Sequence, residues 1–262
     1  MRLQETNVGA LRIGSVTAGE GPPLVLLHGG WVDCRMWRWQ LEGLAADFAV
    51  TAWDTPGCGR SSDPPGDWDM PAYADCLAAW VDAAGIERPH VLGLSWGGTL
   101  ALELYRRHPR VPRSLVLASS YAGWAGSLAP KIVAERLERA EAELARPADD
   151  WAAAYLPGLL TDASPRELED EILSIIRDLR PDGTRTMLRA MAKADLRDVL
   201  PRIEVPTLLL YGELDVRSPL EVAEELCASI PGSQLVVLPG VGHLASAERP
   251  DAFNAAVRSF LL

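Results

Sequence analysis

The chain has 262 residues, 48% hydrophobic and 23% charged, which fits one α/β domain of generous size or two small domains and excludes a disordered chain. A formal charge of −11 excludes the cationic face that nucleic-acid phosphates require. Cys34, Cys58, Cys76 and Cys227 form no C-x-x-C pair, so neither a disulfide framework nor a zinc site is expected, and a reducing, cytoplasmic setting is. The opening MRLQETNVGALRIG lacks an apolar signal segment and no run approaches 18 apolar residues, so export and membrane insertion are not expected.

Short apolar runs alternate with longer helical patterns, the sign of a parallel sheet covered by helices. Residues 3–9 and 11–17 are half-polar and predict a leading antiparallel hairpin. The continuous apolar run 23–27 reads as a strand buried on both faces. Further strands are expected at 49–53, 90–94, 115–118, 207–211 and 235–238, with helices at roughly 37–47, 71–85, 97–108, 219–229 and 250–261. Counting the hairpin, this makes one mostly parallel eight-stranded sheet.

Between Trp124 and about Leu200 only helical patterns occur. Val133, Leu137, Ala140 and Leu144 recur at helical spacing up to Pro147. Ser164-Pro165-Arg166-Glu167 reads as a capping box that opens a helix with Leu168, Ile172, Ile175 and Leu179 on one face, stopped by Pro181. A third stretch, 184–195, carries Met187, Leu188 and Met191. An all-helical insertion after the sixth strand is expected to cap the sheet's C-terminal edge, where open α/β sheets bind ligands. The expected organisation is therefore a core of residues 1–123 and 201–262 with a helical cap, or lid, of residues 124–200.

Gly93-Leu94-Ser95-Trp96-Gly97 matches G-x-S-x-G between a buried strand and a helix, the setting of a nucleophile elbow. Glycines are needed there because the sharp turn strains the serine and brings neighbouring backbone close. A serine that only caps a helix is the alternative. A serine nucleophile needs a base, and the chain has four histidines. His28 follows a strand in a Gly-Gly turn, His90 enters the elbow's strand at its far end, and His108 closes a helix before Pro109. His243, in Pro239-Gly240-Val241-Gly242-His243 after the last strand, is left as the base. The orienting acid should lie between serine and histidine. Asp215 is preferred to Glu213 because two more residues carry it clear of the strand end. Asp54 is expected to fix the turn Asp54-Thr55-Pro56-Gly57 through backbone N–H groups. The backbone N–H groups of Gly30 and Trp96 are the expected oxyanion-hole donors, with Trp31 second to Gly30.

These fragments together resemble the α/β-hydrolase superfamily along nearly the whole chain: LVLLHGGW, AWDTPGCGRSSDPP, HVLGLSWGGTLALELYRRHP, LLLYGELD and LPGVGHLASAERPDAF. The chain looks most similar to small bacterial esterases and lactonases of the enol-lactonase type. That resemblance implies a Ser95–Asp215–His243 catalytic triad, an oxyanion hole at Gly30 and Trp96, and no cofactor or metal. SWGGTLAL and PGCGRSS resemble proline iminopeptidases, but His28-Gly29-Gly30-Trp31-Val32 lacks that family's Pro-Gly. Haloalkane dehalogenases and epoxide hydrolases use an aspartate where Ser95 stands, and cofactor-free haloperoxidases share the serine triad. The expected reaction is hydrolysis of a small-molecule ester or lactone, by a monomer or homodimer. Activity should rise with pH as the imidazole loses its proton.

Of nine tryptophans, Trp31 and Trp124 border the expected pocket and suggest an apolar or aromatic substrate group. Glu135, Glu138, Glu141, Glu143, Glu169, Asp170 and Glu171 are expected on solvated helix faces, with attraction of a substrate amine as the alternative. The excess of arginine over lysine, which occurs only at 131 and 193, reads as genome composition. A ligand receptor with little turnover is the rival of a different class.

Overall fold

The computed structural model describes Met1–Leu262. Strands β1 (Arg2–Val8) and β2 (Leu11–Ala18) form the expected antiparallel hairpin. They are followed by β3 (Pro23–Leu27), β4 (Ala49–Trp53), β5 (His90–Leu94), β6 (Ser114–Ala118), β7 (Thr207–Gly212) and β8 (Gln234–Leu238). All eight form one sheet in the order β1-β2-β4-β3-β5-β6-β7-β8. β2 runs antiparallel to β4, and the later neighbours are parallel. Helices cover both faces, so β5 and β6 are buried at every residue, while β8 at the edge buries only Leu238.

Helix α1 (Arg38–Gly43) follows a short 3-10 turn at Cys34–Trp37, and α2 (Met70–Ala83) and α3 (Trp96–Arg107) flank the central strands. Between β6 and β7 lie five helices: α4 (Trp124–Ser127), α5 (Pro130–Leu144), α6 (Ala152–Tyr155), α7 (Arg166–Arg177) and α8 (Pro181–Lys193). The chain closes with α9 (Leu220–Ser229), α10 (Ala245–Glu248) and α11 (Pro250–Leu261).

Three boundaries differ from the sequence reading. α1 stops at Gly43 rather than near residue 47, because α11 crosses its end: Arg258 donates to the Gly43 carbonyl, and a Cβ on Gly43 would lie 2.3 Å from Asn254 Nδ2. The expected capping box does not form. The Ser164 hydroxyl donates to Glu248 Oε1 at 2.8 Å, and the N-terminus of α7 has no side-chain cap. Pro181 does more than stop a helix, because it sits in the first turn of α8, where a missing N–H is harmless.

The helical segment is joined to the sheet layer by one apolar core that holds Leu24 and Leu92 with Ile172 and Leu188. α8 touches the loop after β4 backbone to backbone. A Cβ on Gly183 would lie 2.3 Å from the Gly57 carbonyl oxygen, and Gly57 has a φ of +94°. Arg180, just before α8, donates to the carbonyls of Cys58 and Ser61 in the same loop. Gly57 thus serves a contact between segments far apart in sequence, while Gly59 makes room for the Asp54 carboxylate of its own loop. No helix is long and apolar enough to cross a membrane.

Candidate active site

Ser95 stands between β5 and α3 with φ +52° and ψ −107°, a conformation that strains any residue with a Cβ. The glycines around it explain why the turn closes. A Cβ on Gly93 would fall 2.2 Å from the Gly97 oxygen, and one on Gly97 would fall 2.1 Å from the Leu27 oxygen. Gly98 is equally confined, since its Cβ would meet the Ser120 hydroxyl at 1.7 Å. The turn is pinned by the Ser95 N–H donating to Ala118 at 2.8 Å and by the Ser95 carbonyl accepting from Gly98 and Thr99, each at 3.0 Å.

Two other strand ends bring His243 and Asp215 together. Nδ1 of His243 lies 3.0 and 2.9 Å from the two oxygens of Asp215, and both side chains are buried. An ionised carboxylate accepts, so Nδ1 carries the proton and Nε2 is left with a lone pair. Asp215 Oδ1 also accepts the N–H groups of Arg217 and Ser218, each at 2.9 Å. Burial alone would raise the Asp215 pKa. Its pairing with His243 and these hydrogen bonds outweigh it and hold the carboxyl below the usual range. Glu213, the rival acid, points elsewhere and accepts from the Gly240 N–H.

Each remaining histidine has a different partner. His28 is buried, donates from Nδ1 to the Gly29 carbonyl at 2.7 Å and accepts the Thr55 N–H at Nε2 at 3.0 Å. It ties the loop after β3 to the loop after β4. His90 bonds Ser114 at the opposite end of β5, and burial lowers its pKa. His108 pairs with Asp75 at 2.7 Å. Asp54 does accept backbone N–H groups, but from Cys34 and Arg60 rather than from its own turn, so it clamps two loops instead of one.

The backbone N–H groups of Gly30 and Trp96 donate to no acceptor within the chain, and Gly30 lines the cavity beside Ser95. Trp96's ring is fully buried against Tyr73, with centroids 5.1 Å apart, so its side chain is structural while its N–H opens α3. Trp31, with φ +70°, turns its ring against Tyr155 and Trp151 at 4.7 and 5.2 Å.

A small cavity, partly open to solvent, lies beside Ser95 and His243. The sheet side supplies Gly30, Trp31, Ser95 and His243, and the helical segment supplies Trp124, Leu159, Leu188 and Met191. Tyr121, Arg136 and Arg217 complete the wall. An adjoining space of about 230 Å³ shares Trp31, Trp124, Arg136 and Arg217 and adds Arg139, Glu143 and Tyr155. Of the seven acidic residues singled out in the sequence, only Glu143 borders either space, and it pairs with Arg139 at 2.8 Å.

The arginines were not legible from sequence, and neither was Glu248. Its carboxylate accepts from Thr161 N–H and hydroxyl at 2.8 and 2.6 Å, from Ser164 at 2.8 Å, and from the Gly242 N–H at 2.6 Å. It joins the helical segment to the residue before His243. The only sequence hint is an acid five residues after a histidine.

The one grouping with metal-ligand character is Asp33, Cys34 and Asp54. Asp33 is engaged by Arg35 and Asp54 by two N–H groups, while burial pushes the Cys34 thiol up and holds its proton. These donors are committed to fixing loops.

Residues 22–250 match the family model for the alpha/beta hydrolase fold. The pimeloyl-[acyl-carrier protein] methyl ester esterase of Vibrio parahaemolyticus is 31% identical, over 92% of this chain and 95% of its own. A thermophilic esterase from Thermogutta terrifontis, solved with malate bound, superimposes with a TM-score of 0.90 at 30% identity, covering 100% of this chain and 98% of its own. The enol-lactonase from Burkholderia xenovorans LB400 gives 0.88 at 28% identity, covering 98% and 99%. A buried mostly parallel sheet, a serine elbow at the end of its central strand, and these similarities lead to one conclusion: the chain belongs to the α/β-hydrolase fold family.

Proposed function

We propose that this protein hydrolyses a carboxylic ester or lactone by two-step acyl transfer, with Ser95 as nucleophile, His243 as base and Asp215 as orienting acid. The carrying observation is that Ser95, strained at its elbow, and His243, paired through Nδ1 with Asp215, open onto one cavity. His243 Nε2 takes the Ser95 proton as Oγ attacks the carbonyl, and the N–H groups of Gly30 and Trp96 receive the oxyanion. Collapse expels the alcohol with the proton from His243 and leaves an acyl-enzyme. Water, deprotonated by the same imidazole, attacks the acyl carbon, and Ser95 leaves with the proton restored. Asp215 stabilises the imidazolium in both steps.

Residues 124–200 act as the cap in this reading, placing Trp124, Leu188 and Met191 over the nucleophile. The similar proteins named as an esterase, a methyl ester esterase and an enol-lactonase support ester over peptide chemistry. A prolyl peptidase would need carboxylates free to hold a substrate amine, and Glu143 is already paired with Arg139. A fluorophosphonate probe should modify Ser95, and p-nitrophenyl esters should be turned over. An unmodified Ser95, or turnover of prolyl-naphthylamide alone, would overturn the reading.

A further inference from the structure

We propose that Arg136 and Arg217 form a carboxylate-binding site in the cavity beside Ser95, so that the substrate carries a free carboxylate besides its scissile ester. Binding of the carboxylate stands on the arginines alone; its place in a substrate rests on the acyl-transfer reading above.

Both arginines line the same small cavity as Ser95 and His243, and both are half-buried. Neither guanidinium is paired with a carboxylate. Their neighbours differ: Arg139 is paired with Glu143, and Arg185 and Arg189 with Glu141. Arg136 donates to the Tyr121 hydroxyl at 3.0 Å and to the Arg217 carbonyl at 2.8 Å, which uses only part of its five N–H groups. The Arg217 guanidinium lies 3.9 Å from the Tyr155 ring centroid, and its Nε is buried without a hydrogen-bond partner. A desolvated donor of this kind is unfavourable unless a ligand completes it.

Neither nearby acid pairs with Arg136 or Arg217: Asp215 is held by His243 and two N–H groups, and Glu143 by Arg139. Three arginines thus stand against two carboxylates. The result is a cationic pocket within a chain of net charge −11, and low-dielectric walls focus such a field on an anion. Guanidinium forks match carboxylate geometry, which an ammonium does not. Because Ser95 and the arginines line one small cavity, the ester and the carboxylate must be joined by a short linker.

The test compares monomethyl glutarate, with its carboxylate on the acyl side, and acetoxyacetate, with its carboxylate on the alcohol side, against neutral methyl butyrate. Glutarate binding is followed by calorimetry. One of the two anionic esters should exceed the neutral ester in kcat/KM by at least about tenfold, and which one identifies the side. Arg217→Gln should reduce that preference and weaken glutarate by about 10- to 100-fold, mainly through KM, with Arg217→Lys in between because it keeps charge without the fork. Arg136→Gln should do the same. Equal preference for neutral and anionic esters by a protein whose Ser95 is labelled by fluorophosphonate would overturn the carboxylate site and leave the hydrolase reading intact. Glutarate binding that depends on Arg217 in a protein with no esterase activity would keep the site and overturn the hydrolase reading. Unchanged glutarate affinity in folded Arg217→Gln and Arg217→Lys would remove the site outright.

Discussion

The two walls of the cavity are built by different means. On the sheet side, position is set by backbone: Gly93, Gly97 and Gly98 have no space for a Cβ, and Ser95 is held in a strained turn between strand and helix. On the helical side, the lining is made of side chains. Trp124, Leu188 and Met191 come from α4 and α8, and α8 is docked through Gly57 against Gly183 and through Arg180. A wall fixed by backbone carries the proposed chemistry and tolerates little change. A wall made of side chains can alter what the cavity accepts without disturbing the elbow. Glu248 and Arg136 bridge the two, and the first acts through the residue before His243.

The largest expected effect lies on the backbone-built side. Ser95→Ala should lower kcat by about 10⁶-fold and abolish fluorophosphonate labelling. A variant keeping half the activity would move the nucleophile elsewhere. Next, Asp215→Asn should lower kcat by about 10⁴-fold, because the imidazole would lose its preferred tautomer. The same substitution sharpens the acid side of the stability profile. The folded-state pKa of Asp215 is depressed, so its ionised form contributes stability above the usual carboxylate range, and that contribution fades as pH falls through the lowered value. The urea-unfolding gap between wild type and Asp215→Asn should therefore be widest near neutral pH and narrow on acidification below about pH 4. A gap that widens in acid would contradict the assignment.

Gly97→Ala should destabilise by about 3 kcal/mol or more, since the neighbouring atom is backbone and cannot give way. Gly66→Ala, with nothing within 4 Å, should stay within about 0.5 kcal/mol in the same unfolding experiment. Equal effects at the two sites would mean the elbow is less confined than described. Across the seam, Glu248→Gln should lower melting stability by about 1–3 kcal/mol and reduce kcat more than it raises KM, since it acts by positioning the His243 loop. Among the charge changes the smallest effect is expected at Glu141, where α5 meets α8: Glu141→Gln should cost under about 1 kcal/mol, and the loss should shrink in high salt.

Legibility followed the same division. Strand positions, the strained turn at Ser95 and the Asp215–His243 pair could be read because each depends on residues close together: apolar runs, a glycine on either side of a serine, an acid or histidine just past a strand. Even Asp215 over Glu213 followed from distance along the chain. The capping box at Ser164 misled because its hydroxyl found a partner 84 residues away. The early stop of α1 depended on Arg258, 215 residues distant.

The amino-acid order by itself determined the fold class, the sheet with its helical insertion, and which acid pairs with His243. These follow from short-range backbone preference and burial, which repeat along the chain. Tertiary structure decided what lines the pocket. Arg136 meets the Arg217 carbonyl across 81 residues, and Glu248 meets Thr161 across 87. The arginine excess therefore reads as bias in the sequence, while in the folded molecule two half-buried guanidiniums without carboxylate partners face the cavity of Ser95. Whether a charge is paired depends on neighbours that only folding supplies.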